Sequence, residues 1–382
     1  MTPGSIAILT LGLTGGAFGN LAAALAKGFR AAGIRKLYLL HISRDRGRPP
    51  GLDPSVAVVP LGSGRSLWTP IALSRTLRRL APDVLISMPT FVNLAAVMGR
   101  LLAARCPTRL IVSEHATMSY KVFTEHRAEM KFRALPSLVR LLYPRADALV
   151  AVSPEVLEDL LATSRVRLDP SRTRVIPNPM DAERIGRLAE EPADHPWLKA
   201  KRTPVILSVG RLARQKNYSL LLRAFARIAR KTDARLLVAG EGRERGRLQL
   251  LAGDLGIRDR VDFPGYTVNP YTMMARSDVF ALASEEESFG LVLGEAMCCG
   301  VPVVATDALG GGPRHILDNG RFGVLVPRND ERVLAGSLLR LITSAEARVG
   351  LAAAGRLRCR DFSPKKIAEQ WISLIETISA VH

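Results

Sequence analysis

Short, uninterrupted apolar runs alternate along this chain with longer segments in which apolar side chains recur every third or fourth position. The short runs predict buried strands at 6–11, 36–42, 56–59, 83–87, 109–113, 148–152 and 174–176. The longer segments predict helices between them, at 20–32, 67–80 and 92–104. Another opens at Ser153-Pro154-Glu155, a capping serine followed by proline in the first turn. The alternation then begins afresh. Strands are predicted at 204–209, 235–239, 261–263, 279–283, 302–306 and 324–326, with helices at 218–231, from Gly242 to about Leu255, and at 271–275, 290–299, 331–342 and 346–358. Continuous apolar strands separated by helices predict parallel sheets covered on both faces, so the simplest architecture is two doubly wound α/β domains in tandem. The expected divisions are 1–178 and 179–363, joined at the stiff Ile176-Pro177-Asn178-Pro179, with a last amphipathic helix within 364–382 packing back on the first domain.

Composition adds limits. The 382 residues are 47% apolar and 23% charged, which excludes a disordered or collagen-like chain. Cys106, Cys298, Cys299 and Cys359 form neither a disulfide framework nor a Cys-x-x-Cys zinc site, so reduced thiols in the cytoplasm are expected. Residues 1–26 carry no charge, but the opening lacks a cationic leader, and Gly12, Gly15, Gly16 and Gly19 interrupt it. A strand, a glycine turn and a helix are expected there rather than a signal peptide or a membrane span. The net charge of +19 is the one extreme value, and it is lopsided: residues 1–180 carry +13 and the remainder +6. Anionic partners are implied, and the first half holds most of the attraction.

Open parallel sheets bind ligands beyond the C-terminal ends of their strands, which directs attention to the segments that leave them. Ser284-Glu285-Glu286-Glu287-Ser288-Phe289-Gly290-Leu291-Val292-Leu293-Gly294-Glu295 follows a predicted strand and opens a helix. Amides at Phe289, Gly290 and Leu291 suit a phosphate, while Glu287 and Glu295 suit hydroxyls, a combination that describes a sugar nucleotide. A solvated acidic helix start is the alternative reading of the same residues. In Gly210-Arg211-Leu212-Ala213-Arg214-Gln215-Lys216, Arg211 and Lys216 form a cation pair able to hold a diphosphate. Gly12-Leu13-Thr14-Gly15-Gly16 brings backbone close to a phosphate or is a plain turn; it lacks the G-x-G-x-x-G spacing and the acidic partner of a dinucleotide fold. His115, in Ser113-Glu114-His115, closes another strand and is either structural or a contact to a sugar hydroxyl or developing charge.

Glu287-x7-Glu295 with Phe289-Gly290-Leu291, and Gly210-Arg211-Leu212 with Lys216-Asn217, resemble the retaining glycosyltransferases of family 4, which have the GT-B fold. Leu142-Tyr143-Pro144-Arg145, Ile176-Pro177-Asn178-Pro179 and Asn319-Gly320 are similar to further landmarks in family order, so the resemblance spans nearly the whole chain. It implies two Rossmann-like domains facing across a cleft, with the acceptor on the first domain and the nucleotide-diphosphate sugar donor on the second. It also implies that Arg211 and Lys216 hold the diphosphate, Glu295 the ribose, and Glu287 the donor sugar. Gly16 approaches the diphosphate, His115 contacts the sugar, and the base lies near Gly265 and Tyr266. Retention without a metal or other cofactor is implied as well, and no Asp-x-Asp occurs in the sequence. UDP is favoured over GDP. One departure is His315, which stands where the family usually has glutamate.

Residues 121–145 combine Lys121, Arg127, Lys131, Arg133, Arg140 and Arg145 with Val122, Phe123, Phe132, Leu135, Leu138, Val139, Leu141 and Leu142. One or two basic amphipathic helices are expected, either core-facing or docked on an anionic membrane at its inner face, where a saccharide or lipid-linked acceptor would lie. Nucleic acid is not expected, since aromatics are 5% and no recognition motif is present. A sugar-nucleotide 2-epimerase of the same fold and a membrane-bound protein without catalysis are the rival readings.

Overall fold

The computed structural model describes residues 3–13, 17–43, 47–62 and 67–380. Two compact units divide it, one made of Met1–Met180 and Phe362–His382 and the other of Asp181–Asp361. The chain thus leaves the first unit just after the proline-rich 176–179 segment and returns to it for its last helix.

The first unit holds strands β1 (Ser5–Thr10), β2 (Lys36–His41), β3 (Ala57–Pro60), β4 (Val84–Ser87), β5 (Arg109–Glu114), β6 (Ala148–Ala151) and β7 (Thr173–Val175). They form one parallel sheet in the order β3-β2-β1-β4-β5-β6-β7. Two aspartates at strand entrances fix neighbours: Ser5 N donates to Asp83 Oδ2 at 2.9 Å and Leu110 N to Asp147 Oδ2 at 2.7 Å. The helices are α1 (Ala17–Ala31), α2 (Thr69–Leu80), α3 (Thr90–Leu102), α4 (Met118–Tyr120), α5 (Met130–Arg133), α6 (Leu135–Leu142) and α7 (Pro154–Ser164). Ser153 Oγ accepts from Val156 N at 3.2 Å, the cap expected for α7. The final helix, Pro364–Ala380, lies against α1 so closely that a Cβ on Gly28 would strike the carbonyl of Pro364. Its Ile367, Trp371, Leu374 and Ile375 complete the core around Phe29.

The second unit holds α8 (Ala182–Glu190), α9 (Pro196–Lys199), β8 (Val205–Val209), α10 (Tyr218–Ala229), β9 (Arg235–Ala239), α11 (Arg245–Asp254), β10 (Val261–Gly265), α12 (Tyr271–Arg276), β11 (Val279–Leu282), α13 (Leu291–Cys299), β12 (Val303–Thr306), α14 (Gly312–Leu317), β13 (Val324–Val326), α15 (Glu331–Thr343) and α16 (Ala345–Cys359). Its sheet is parallel in the order β10-β9-β8-β11-β12-β13. The sequence pattern missed α8 and α9, which are short; Asp181 caps the first, accepting from Arg184 N at 3.1 Å. Gly240 is required where it stands: its φ is +145°, and a Cβ there would collide with the Gly210 carbonyl. The segments leaving β8 and β9 touch at that point.

Within 121–145 the two expected helices are α5 and α6, shorter than the segment, with a π-helical turn at Lys121–Glu125 before them and a 3-10 turn at Tyr143–Arg145 after them. The apolar set divides as well. Val122, Phe132, Leu135 and Val139 enter the core, while Phe123, Leu138 and Leu141 stay exposed beside Met130. No single amphipathic face survives, because the apolar positions serve two directions. Among the described residues no helix is long and apolar enough to cross a membrane.

Candidate functional site

In the second unit, two segments leave adjacent strands and bond to each other. After β8, residues 210–217 pass through a short turn (Arg214–Lys216), and Asn217 takes a left-handed φ of +45° to start α10. After β11, residues 283–290 lead to α13. Glu285 N donates to Gln215 O at 2.8 Å, and Gln215 Nε2 donates to the Glu286 carbonyl at 3.3 Å and to its carboxylate. One residue along each segment, Lys216 Nζ pairs with the Glu287 carboxylate. These two side chains lie 71 positions apart in sequence and retain 16% and 13% of their surface. Ser284 Oγ also donates to Glu287, at 3.2 Å. Gly210 leaves the room this needs: a Cβ on it would lie 2.9 Å from Tyr218 Oη and 3.7 Å from Lys216 Cε.

Arg211 is exposed and turned toward Gln215, whose Oε1 accepts from it at 3.5 Å. Glu286 was not singled out from the sequence, yet it is the buried member of the acidic run, 4% exposed, and also accepts from Ser288 Oγ at 2.6 Å. Three consecutive glutamates in a loop have no periodicity to say which one turns inward.

The Glu287 backbone is held from the other side, its N–H on Leu309 O at 2.7 Å and its carbonyl accepting from Gly312 N at 2.9 Å. A Cβ on Gly312 would collide with the Phe289 backbone, so the glycine turn before α14 packs directly under the start of α13. Gly290 opens that helix in a left-handed conformation, φ +87°. The amides of Gly290, Leu291 and Val292 have no acceptor among the described residues. An anion at this end would meet unpaired donors and the positive end of the helix dipole. The expected set was Phe289, Gly290 and Leu291. The Phe289 side chain is buried, its ring 6.4 Å from that of His315. His315 N donates to Gly311 O at 2.9 Å, and its carbonyl accepts from Arg358 at 2.9 Å.

Glu295 lies one turn into α13, where Tyr271 Oη donates to its Oε1 at 3.2 Å. Burial pushes its carboxyl above the usual carboxylate range, and the Tyr271 hydroxyl and the charge of Arg184 pull it back. Neither Tyr271 nor Arg184 was foreseen. Gly265 and Tyr266 lie at the end of β10, the edge strand two places from β8. Gly265 takes φ +87° and accepts from Gly240 N at 2.7 Å, and Tyr266 is 67% exposed.

In the first unit, His115 follows β5. Its Nε2 lies 3.0 Å from Ser113 Oγ, and its ring meets the Phe18 ring edge-on with centroids 5.3 Å apart. Burial pushes its pKa down to about 3, so the ring is neutral at ordinary pH and acts as a hydrogen-bonding group, not as a cation. Beside it, Glu114 is buried among three donors from two elements: Thr90 Oγ1 at 2.7 Å and Asn93 Nδ2 at 3.0 Å from α3, and the Tyr143 hydroxyl from the turn after α6. Burial raises the Glu114 pKa, and these donors oppose the rise. Gly15 and Gly16 lie outside the described residues.

Comparison with known proteins shows the family and the fold. Residues 190–358 match the family model described as Glycosyl transferases group 1, and residues 18–184 match Glycosyltransferase Family 4. A Campylobacter jejuni N-acetylgalactosamine-N,N'-diacetylbacillosaminyl-diphospho-undecaprenol 4-alpha-N-acetylgalactosaminyltransferase is 33% identical over 287 residues, 75% of this chain and 73% of that protein. A Rhizobium meliloti lipopolysaccharide core biosynthesis glycosyltransferase is 29% identical, over 62% of this chain and 66% of the relative. Among solved structures, Anabaena HepE in complex with UDP superposes with a TM-score of 0.76 at 20% identity, covering 98% of this chain and 100% of that one. Sucrose-phosphate synthase from Thermosynechococcus elongatus gives 0.79 at 21%, covering 99% and 100%. Family matches to both units, a relative sharing a third of its residues over most of both chains, and a common fold lead to one conclusion: this chain belongs to the family 4 glycosyltransferases and has the GT-B fold.

Proposed function

We propose that the protein transfers a hexosyl or N-acetylhexosaminyl group, with retention and without a metal ion, from a UDP-sugar to a saccharide or lipid-linked acceptor. The Lys216–Glu287 pair beside the open amides of Gly290 and Leu291 carries this reading. Breaking the bond between the sugar's C1 and the phosphate oxygen builds negative charge on the departing diphosphate. Lys216, Arg211 and the start of α13 are the groups that answer it. The acceptor oxygen bonds to C1 on the face the diphosphate leaves, and its proton passes to the departing phosphate. Glu287 lies against the donor sugar, Glu295 takes the ribose hydroxyls, and His115 offers a neutral imidazole to a sugar hydroxyl. The Campylobacter relative, named for transfer of N-acetylgalactosamine onto a diphospho-undecaprenol carrier, supports the sugar and acceptor classes. The UDP bound to HepE supports the nucleotide.

A thermal-shift panel of UDP-, GDP- and ADP-sugars tests the donor. A ligand that binds only the folded state stabilises it by about 2.7 kcal/mol at a hundred times its Kd. A midpoint raised by a UDP-sugar is expected, and no rise with any of them overturns the reading. Product analysis separates the epimerase, since transfer releases UDP only when acceptor is present. For the acceptor side we propose contact with an anionic membrane at its inner face. Phe123, Met130, Leu138 and Leu141 are exposed beside the exposed bases Arg127, Lys131, Arg133, Arg140 and Arg145, a mixture suited to acidic headgroups. Flotation with phosphatidylglycerol vesicles is the test, and failure to float at low salt removes this part.

A further inference from the structure

Three helices of the second unit meet around Glu295: its own α13, α12 with Tyr271, and α8 with Arg184. Tyr271 is 6% exposed, and its hydroxyl reaches Glu295 Oε1 at 3.2 Å. Its backbone is fixed in turn. Asn269 Oδ1 accepts from Tyr271 N at 3.2 Å, while Asn269 Nδ2 donates to Leu188 O and to Glu191 Oε2, both at 2.8 Å. Arg276, at the far end of α12, donates to Ala189 O at 3.1 Å. The tyrosine is thus held rigidly where α12 meets the end of α8. Glu295 Oε2 has no protein partner among the described residues.

From this geometry we infer that Tyr271 is the positioning residue for Glu295, holding the carboxylate by one oxygen so that the other faces a nucleoside's ribose. A carboxylate grips two neighbouring hydroxyls only when it is ionised and its plane is fixed. The neutral O–H donor on Oε1 favours both conditions, opposing the effect of burial on the charge and restraining the carboxylate's orientation. It leaves Oε2 and the remaining lone pair of Oε1 for the ligand. The charged and titratable groups facing Glu295 are Tyr271 from α12 and Arg184 from α8. Cys298 and Cys299, on its own helix, also feel its charge. Burial raises the Tyr271 and Cys299 pKa values, and the hydrogen bond with Cys359 together with burial raises that of Cys298, so these groups stay protonated. From α16, packed against α13, Cys359 and Arg356 face the cysteines, and Arg184 is the fixed charge that acts on Glu295 itself. Removing the hydroxyl therefore raises the pH at which Glu295 loses its charge, and ligand affinity should fall on the acid side.

This rests on the reading of Glu295 as the ribose-binding residue, and the test separates the two. Calorimetric titrations with UDP, and in parallel GDP, use the full-length protein and its Tyr271→Phe, Glu295→Gln and double variants between about pH 5 and about pH 8. Tyr271→Phe keeps the buried ring, so its melting midpoint should stay close to that of the unaltered protein. Its nucleotide affinity should fall roughly tenfold, the scale of a hydrogen bond to a charged group, and more steeply as pH drops. In the Glu295→Gln background the same change should add nothing, since the two act as one unit. Unchanged affinity in Tyr271→Phe, or an equal loss with and without Glu295, overturns the inference while leaving the ribose assignment standing. Unchanged affinity in Glu295→Gln overturns both.

Discussion

Replacing Lys216 by alanine is the most informative single change, because its effects on stability and on turnover separate. Lys216 Nζ is bonded to Glu287, whose other side-chain donor is Ser284 Oγ at 3.2 Å. Deleting one partner of a fully dry ion pair costs about 3–5 kcal/mol, chiefly through the charge left behind. Here both side chains keep some contact with water, 16% and 13% of their surface, so about 1–3 kcal/mol is the expected range. At about 2–4 °C per kcal/mol for a domain of this size, the melting midpoint should fall by several degrees. Neutralising the counter-charge in a Glu287→Gln background should recover most of that loss. Turnover should not recover. Removing a group that stabilises a departing anion costs about 10²–10³ in kcat, and the amide of a glutamine supplies no positive charge in its place. The assay is release of nucleoside diphosphate from the donor identified by thermal shift, with acceptor present and below the variants' melting range. Turnover by Lys216→Ala within a few-fold of the unaltered protein would refute the clamp, whatever happens to its stability.

The same geometry leads to further outcomes. Chelation with EDTA should leave transfer unchanged, and an absolute need for added Mn²⁺ or Mg²⁺ would remove the role given to Arg211 and Lys216. Because the folded-state pKa of His115 is lowered to about 3, the unfolded chain takes up that proton first on acidification. This group's contribution therefore falls as pH drops from about 6.5 toward about 3, and His115→Gln should show a flatter urea-unfolding profile across that window. An identical slope in the variant would show that the imidazole is not buried as described. Gly312→Ala drives a methyl into the Phe289 backbone and should cost about 1–3 kcal/mol together with weaker donor binding. Unchanged urea midpoints and donor Kd would mean that the turn gives way freely.

Much of this was legible because parallel sheets obey simple rules. Apolar runs located the strands, the rule that ligands sit beyond strand ends directed attention to 210–217 and 284–295, and Lys216 and Glu287 do meet there. What escaped were partners with no local signal. Asn93 and Tyr143 converge on Glu114 from places 21 and 29 residues away, and nothing in either stretch announces a buried carboxylate. Tyr271 was read as the start of a short helix, with no sign that its hydroxyl would reach Glu295 from 24 positions away. In 121–145 the two helices were legible from the spacing, but which apolar residues turn inward was not. There α6 begins at Leu135 with Pro136 in its first turn and buries Leu135 and Val139, while Leu138 and Leu141 stay exposed. Burial of the acidic run was equally unreadable, since Glu286 is selected by partners that local sequence does not announce, among them Gln215, 71 positions away.

The final helix against α1 also governs the order in which this protein can be finished. The first unit leaves the ribosome early, but the face of Phe29 has no cover until Trp371 and Ile375 have been synthesised, after every residue of the other unit. Its sheet must wait with an apolar side open to water and to chaperones, whereas 181–361 is continuous and can close on itself as soon as it emerges. Removing the Pro364–Ala380 helix would therefore take away part of a core, and a chain cut before it should aggregate.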